Sequence, residues 1–185
     1  MVYSNGPVMN ITVIGCPSRK FKPYVIRAID FYAKKLLPSK ILRENVDLEV
    51  HFKRELEAFA YSSVEGYNSS SRPREFLIEI HSGIGAKNIF KSLAHEMVHI
   101  KQYIRGETNA SLSKWHGVEV DQEKIDYYEQ PWEVEAYGWE EGLFNGFVNE
   151  EQLWKIFVTF PTPTLRFQRK KSIGAGLLPF LPKPV

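Results

Sequence analysis

The chain contains 185 residues with a formal net charge of +2, and 43% of them are hydrophobic. This length is typical of one domain, and the apolar fraction argues against a globally disordered protein. The single cysteine, Cys16, excludes an internal disulfide framework and a cysteine-based structural zinc site, and it favours a reducing compartment. Residues 1–10 lack the basic and apolar blocks of a signal peptide, and no segment approaches the roughly 20 apolar residues of a membrane span. We therefore expect a cytoplasmic protein.

The first half of the chain predicts strands, with one helix between the first two of them. The segment Asn10–Ile14 is short and β-branched and is followed by a glycine and a proline, which is typical of a strand. Pro23 then opens a predicted helix over residues 24–37, whose apolar side chains recur every three or four residues, and Pro38 ends it. Alternating apolar residues predict two further strands, over residues 46–52 and 75–81, and residues 59–63 are a candidate strand between them.

The longest predicted helix follows, over Ala86–Arg105. Its apolar side chains recur at three and four residues, and Gly106 supplies a stop. The segment 111–120 predicts a hairpin or strand. Two more helices are predicted, over residues 132–144 after Pro131 and over residues 149–157 with Asn149 as N-cap.

The order of these elements predicts the fold class. A strand, a helix, several strands and then helices are typical of an α+β fold, here with a small, mostly antiparallel sheet. We expect one domain over residues 1–160. Residues 161–185 are rich in proline and carry five basic and no acidic residues, which predicts an extended tail.

Charge is distributed unevenly along the chain. Residues 16–43 carry eight basic residues and one acidic residue, whereas residues 118–154 carry eleven acidic residues and one lysine. Such blocks can mark a nucleic-acid partner, and the basic cluster at 166–171 includes Phe167, which could stack on bases. Ordinary solvated faces explain the same blocks, so nucleic-acid binding stays an alternative.

The residues that carry chemistry form the sequence His95-Glu96-Met97-Val98-His99, an HExxH motif inside the longest predicted helix. Residues at i and i+4 lie one turn apart on the same helix face, so both imidazoles can reach one metal ion. Glu96 projects about 100° away from His95, which places its carboxylate beside the metal ion rather than on it. The motif therefore predicts one zinc ion held by His95 and His99, with Glu96 as the general base that deprotonates a water.

A catalytic zinc site also needs a third protein ligand, and the next predicted helix offers two glutamates. Glu133 and Glu135 both lie in the segment Pro-Trp-Glu-Val-Glu-Ala. They project about 200° apart on a helix, so they cannot serve equally. The small side chain of Ala136 would let the two helices approach closely, so we expect Glu135 to be the ligand, with Glu133 as the alternative.

The segment Leu-Ala-His-Glu-Met-Val-His, followed by Pro-Trp-Glu-Val-Glu-Ala, resembles the gluzincin-type zinc metallopeptidases in their minimal form. It is especially similar to small metallopeptidase-like proteins of phage and bacterial genomes, and the resemblance covers residues 75–143. It implies a zincin-like fold, in which a small sheet packs on the HExxH helix and on a second ligand-bearing helix. Carried over, the zinc ligands are His95, His99 and Glu135, and Glu96 is catalytic. The larger gluzincins place an aspartate four residues after the ligand glutamate, where this chain has Trp139.

The expected reaction is hydrolysis of a peptide bond by a zinc-activated water, with Glu96 passing the proton to the leaving amine. The oxyanion needs a second donor besides zinc, and the segment between the two ligand helices offers His116, Tyr127 and Tyr128. The resemblance also implies that a strand near the motif helix, over residues 76–81 or 59–63, forms the edge of the cleft and pairs with extended substrate.

We therefore expect a zinc-dependent endopeptidase that acts on protein or peptide substrates and has no membrane partner. Two other functions remain open: a DNA-associated protease that docks through its basic segments, and a non-catalytic regulatory protein that binds zinc. Glu96 argues against the last, because a purely structural zinc site needs no general base.

Overall fold

The computed structural model describes residues 9–43, 45–65 and 72–153 of the chain. Within these ranges the protein is α+β, as predicted, with three α-helices, a four-stranded sheet and a two-stranded hairpin. The predicted tail at 161–185, its basic cluster at 166–171 and the end of the predicted helix 149–157 lie outside the described residues. The boundary expected at residue 160 therefore stays a prediction.

The main sheet is mixed, so the expectation of a mostly antiparallel sheet is wrong. Its strands are β1 (Asn10–Ile14), β2 (Asp47–Lys53), β3 (Ala60–Val64) and β4 (Glu75–His81), and they stand in the order β1-β2-β4-β3. The β1–β2 and β2–β4 pairs are parallel, and only β3 runs antiparallel to its neighbour β4. Because a helix connects β1 to β2, the chain crosses back to its starting end before the second strand begins, which makes the pair parallel.

Three helices accompany the sheet: α1 (Lys22–Leu36), α2 (Ala86–Arg105) and α3 (Pro131–Glu150). The predicted bounds of α2 are confirmed, and Gly106 ends it at φ +69°, a conformation that favours glycine. The two helices predicted over 132–144 and 149–157 are instead one continuous helix as far as Glu150, so Asn149 lies in its last turn and is not an N-cap. No helix of the described residues is long and apolar enough to cross a membrane.

The hairpin predicted between α2 and α3 is present and short. It pairs β5 (Lys114–Trp115) with β6 (Val118–Glu119). His116 and Gly117 form the turn with positive φ angles of 47° and 84°. Two short 3-10 turns, Gln122–Lys124 and Tyr127–Glu129, then lead into α3.

One face of the sheet and the three helices share the core. Alternate residues of β2 and β4 are buried, and the residues between them are exposed or half-buried. An aromatic cluster joins the helices: the Phe147 ring of α3 lies 5.7 Å from Tyr32 of α1 and 5.3 Å from Phe90 of α2. At Gly146 an added Cβ would lie 3.2 Å from the Phe31 ring, so glycine permits this close approach of α3 and α1. This packing fixes how α2 and α3 face one another.

Candidate metal centre

The two motif histidines lie one turn apart on α2, on the side that faces α3. Both are buried, and their Nε2 atoms lie 3.1 Å apart. Another face of α2 carries the buried side chains Leu93, Met97 and Ile100, which belong to the core and hold the helix in place. The spacing of the motif therefore brings both imidazoles to one point, as the sequence predicted.

Glu133, from the first turn of α3, completes a cluster of three buried side chains. One carboxylate oxygen lies 3.2 Å from His95 Nε2, and the other lies 3.4 Å from His99 Nε2. One ligand atom from each of His95, His99 and Glu133 falls within 4.8 Å of the others. Two histidine nitrogens and a carboxylate oxygen are a donor set that suits zinc.

Glu135, the expected third ligand, points away from the two histidines, and the side chain that lies beside them is Glu133. Its carboxylate accepts from Lys101 Nζ at 2.5 Å and from Gln102 Nε2 at 2.9 Å. The two glutamates diverge by about 200° around the helix axis, so only one of them can face the histidines. Ala136 is fully buried, which agrees with the close helix approach that the sequence suggested. The close approach at Ala136 brings Glu133, three residues before it, to the histidines. Glu135, directly before Ala136, is not brought there.

The nearest contacts among the three side chains are as short as the separations between zinc ligands, with a different oxygen of Glu133 facing each histidine. With zinc bonds of about 2.05 Å in tetrahedral geometry, two ligand atoms lie about 3.3 Å apart. The contacts among the three side chains measure 3.1, 3.2 and 3.4 Å. The residues present therefore fit the ion that the motif implies.

Each histidine also has a partner at its other ring nitrogen. His99 Nδ1 lies 2.9 Å from Gln102 Oε1, within hydrogen-bond distance. His95 Nδ1 lies 3.3 Å from Glu140 Oε2, although without the alignment of a hydrogen bond. Glu140 in turn contacts Lys91 Nζ at 3.2 Å. Such partners orient metal-ligating imidazoles.

The roles of Gln102 and Glu140 were not predicted from the sequence. Trp139, at the position where the larger gluzincins have an aspartate, is exposed and takes no such role. Glu140 lies seven residues after Glu133, two turns along the same helix face, so a choice of Glu133 from the sequence would have pointed to Glu140.

The charges of the cluster depend on one another. Burial by itself would lower the pKa of His95, but its contacts with Glu133 and Glu140 outweigh burial and raise this pKa from 6.5 to about 10. Burial likewise opposes ionisation of Glu133, but its contact with His95 lowers the pKa of this carboxyl to about 2. Without a metal ion, the site therefore carries an ionised Glu133 beside a protonated His95.

Glu96 lies beside the cluster and faces a cleft. It is buried, and its Oε2 accepts a hydrogen bond of 2.8 Å from Ser62 Oγ on β3. The cleft has a volume of about 280 Å³. Its walls come from the loop before β3 and β3 itself, from α2, from the last 3-10 turn and from α3, and they include Ala60, His95, Glu96, Tyr127 and Tyr137.

Of the three proposed oxyanion donors, only Tyr127 lines this cleft. Its hydroxyl contacts Glu133, and burial together with that carboxylate raises the pKa of Tyr127 above its usual value. Tyr128 is exposed and packs on Tyr137, with the ring centroids 5.9 Å apart. His116 lies in the hairpin turn and does not line the cleft.

The structure also distinguishes between the two strands that were predicted to form the edge of the cleft. β4 has β2 on one side and β3 on the other, so its backbone is already paired. Among the described residues β3 is one of the two terminal strands of the sheet, and it carries Ser62 beside Glu96. An extended chain could therefore pair with β3 and not with β4.

Comparison of the chain with protein-family models, curated proteins and solved structures gave no match.

Proposed function

We propose that this protein is a zinc-dependent metallopeptidase of the minimal gluzincin type, acting on protein or peptide substrates. The observation that carries the proposal is the buried cluster of His95, His99 and Glu133 with Glu96 beside it on a cleft. One zinc ion per chain is the expected cofactor.

Three protein ligands favour a catalytic zinc site over a structural one. Structural sites are usually closed by four protein ligands, whereas catalytic sites keep one position open. Among the described residues, the donor cluster contains His95, His99 and Glu133 and no fourth side chain. The adjoining cleft gives a substrate room to approach.

When bound, zinc would lower the pKa of a water and polarise the scissile carbonyl. Glu96 would take the proton of the attacking water and pass it to the leaving nitrogen. The hydrogen bond from Ser62 holds one oxygen of Glu96, which leaves the other for the water. Tyr127 would donate to the developing oxyanion, and β3 would pair with the extended substrate backbone.

The proposal is tested by zinc analysis together with the substitution Glu96→Gln. We expect about one zinc per chain in both proteins, and we expect the variant to lose about 10²–10⁴-fold in peptidase activity because it lacks the general base. Activity is measured as cleavage of a random peptide library read by mass spectrometry. Glu123→Gln, which replaces an exposed glutamate outside the cleft, is the matched control.

Zinc absent from the purified wild type, or activity that survives Glu96→Gln, would refute the proposal. Zinc present in a wild type that cleaves no peptide would favour the non-catalytic alternative instead.

A further inference from the structure

A chain of polar side chains, buried except for the half-buried Glu135, leads from Lys101 to the ligand His99. Lys101 Nζ donates to Glu135 Oε1 at 2.5 Å, and Gln102 Nε2 donates to Glu135 Oε2 at 2.9 Å. Gln102 Oε1 lies 2.9 Å from His99 Nδ1. The side chain of Gln102 is fully buried, and that of Lys101 nearly so. These contacts therefore connect His99 of α2 through Gln102 to Glu135 of α3, and Glu135 to Lys101.

The orientation of the Gln102 amide has one solution. Its Nε2 lies 2.9 Å from the carbonyl oxygen of Trp132 and 2.9 Å from the Glu135 carboxylate. Both of these oxygens only accept hydrogen bonds, so the amide must turn its NH₂ group towards them. The Oε1 atom is then left facing His99. The reversed amide would set an oxygen against two acceptors.

This orientation determines which nitrogen of His99 carries the proton. An amide oxygen can only accept, so His99 Nδ1 must donate, and in the neutral ring Nε2 then keeps its lone pair. Nε2 is the atom that lies 3.1 Å from His95 Nε2 and 3.4 Å from Glu133. Its lone pair therefore points into the cluster.

We propose that Lys101, Glu135 and Gln102 form a positioning relay that holds His99 in the tautomer required for metal binding. The metal-binding part of this inference rests on the proposed function, whereas the tautomer can be measured without metal. Glu135 thus acts on the site through Gln102 and not as a ligand.

The burial of Lys101 agrees with a positioning role. Lys101 also pairs with Glu107 at 2.7 Å, so it sits between two carboxylates. Removing these charges from water is expensive, and apolar side chains of similar size often stabilise a protein equally well or better. The network is therefore poorly explained by stability alone. A positioning role explains it, because the Lys101 cation holds the Glu135 carboxylate against Gln102.

The first test reads the tautomer in the metal-free full chain by long-range ¹H–¹⁵N NMR at pH 8. We expect the wild type to show a protonated Nδ1 and an unprotonated Nε2 at His99. Gln102→Leu removes the acceptor, so the Nε2-protonated form should grow. If that variant does not fold, Gln102→Asn is used instead, because its shorter amide cannot span the same contacts. A wild-type His99 protonated at Nε2 would overturn the proposal.

The second test is a double-mutant cycle on zinc affinity, measured by competition with a chromophoric chelator. Partners of ligand histidines are typically worth about 10–100-fold in metal affinity, which is the loss we expect for Gln102→Leu. Glu135→Gln, which acts one step further away, should lose less, about threefold to tenfold. Because Glu135 acts through Gln102, the double variant should bind zinc no more weakly than Gln102→Leu alone.

The matched control is Glu151→Gln, which breaks the 3.0 Å ion pair with Arg27. Glu151 lies 18 residues beyond Glu133, about 27 Å along the helix axis, so zinc affinity should not change. Losses that multiply in the double variant would overturn the relay, as would lower melting temperatures with unchanged zinc affinity. A wild type that binds no zinc refutes the proposed function, and the NMR result alone then decides the relay.

Discussion

Replacing Glu133 and Glu135 separately by alanine tests which carboxylate completes the metal site. Glu133 contacts both histidines, at 3.2 and 3.4 Å, whereas Glu135 contacts Lys101 and Gln102. The two residues lie on the same turn of α3, so both substitutions alter the same helix and remove the same atoms. Any difference in zinc binding therefore reports the direction in which each carboxylate points.

The expected losses differ by one to two orders of magnitude. Structural zinc sites with four protein ligands bind with about 10–16 kcal/mol, or about 2.5–4 kcal/mol per ligand. Losing one ligand therefore weakens zinc binding by about 10²–10³-fold, which we expect for Glu133→Ala. Glu135→Ala removes only a group that orients Gln102, so its loss should stay near tenfold or below.

The assay is chelator competition at pH 7.5, together with melting of each metal-free variant to verify folding. Glu133→Gln serves as an isosteric control, because it keeps the volume of the buried side chain while removing its charge. An equal loss in the two alanine variants, or a larger one for Glu135→Ala, would refute the assignment of Glu133 as the ligand.

Four further predictions concern the cleft, the charges and the core. Ser62→Ala should lower kcat/KM about tenfold at unchanged zinc affinity, because Glu96 loses a hydrogen bond worth about 1.4 kcal/mol; weakened zinc binding would contradict this role. Tyr127→Phe should lower kcat by about 10²-fold if its hydroxyl stabilises the oxyanion, and an unchanged kcat would remove it from the mechanism. Burial opposes the charged form of His95, but carboxylate contacts raise the pKa of this imidazole from 6.5 to about 10. The protonated His95 therefore stabilises the fold fully below about pH 6.5, and this stabilisation is lost as the pH rises towards 10. The metal-free protein should therefore melt at a lower temperature at pH 10 than at pH 7, whereas stabilisation by added zinc should grow with pH because zinc displaces the proton. Phe147→Ala should destabilise the fold by about 3–5 kcal/mol in urea titrations, because it empties the aromatic cluster that joins the helices; a loss below 1 kcal/mol, the value expected of a surface site, would contradict that role.

The sequence by itself determined the features that depend on local periodicity. The motif helix begins and ends at the predicted residues, because its apolar spacing and Gly106 act within one segment. The convergence of His95 and His99 follows from 3.6 residues per turn and from nothing further along the chain. The identity of zinc and the role of Glu96 follow from the chemistry of the motif and remain proposals.

Only the tertiary structure decided how separate elements face one another. Periodicity fixes the angle between Glu133 and Glu135, but the rotation of α3 against α2 depends on which side chains of α3 reach the core. Burial of Trp132, Ala136 and Phe147 sets that rotation and turns Glu133 towards the histidines. The same rotation aims Glu135 at Gln102.

In the sheet too, only the tertiary structure decided how the separate strands are arranged. Alternation of apolar residues predicted the strands, but strand direction and order depend on the path of the chain between them. The α1 crossover makes β1 and β2 parallel, and the insertion of β4 between β2 and β3 leaves β3 at the edge. Local sequence patterns therefore predicted which chemical groups the site contains. Long-range packing determined which of these groups come together, because burial orients a whole face of a helix or strand and not a single residue.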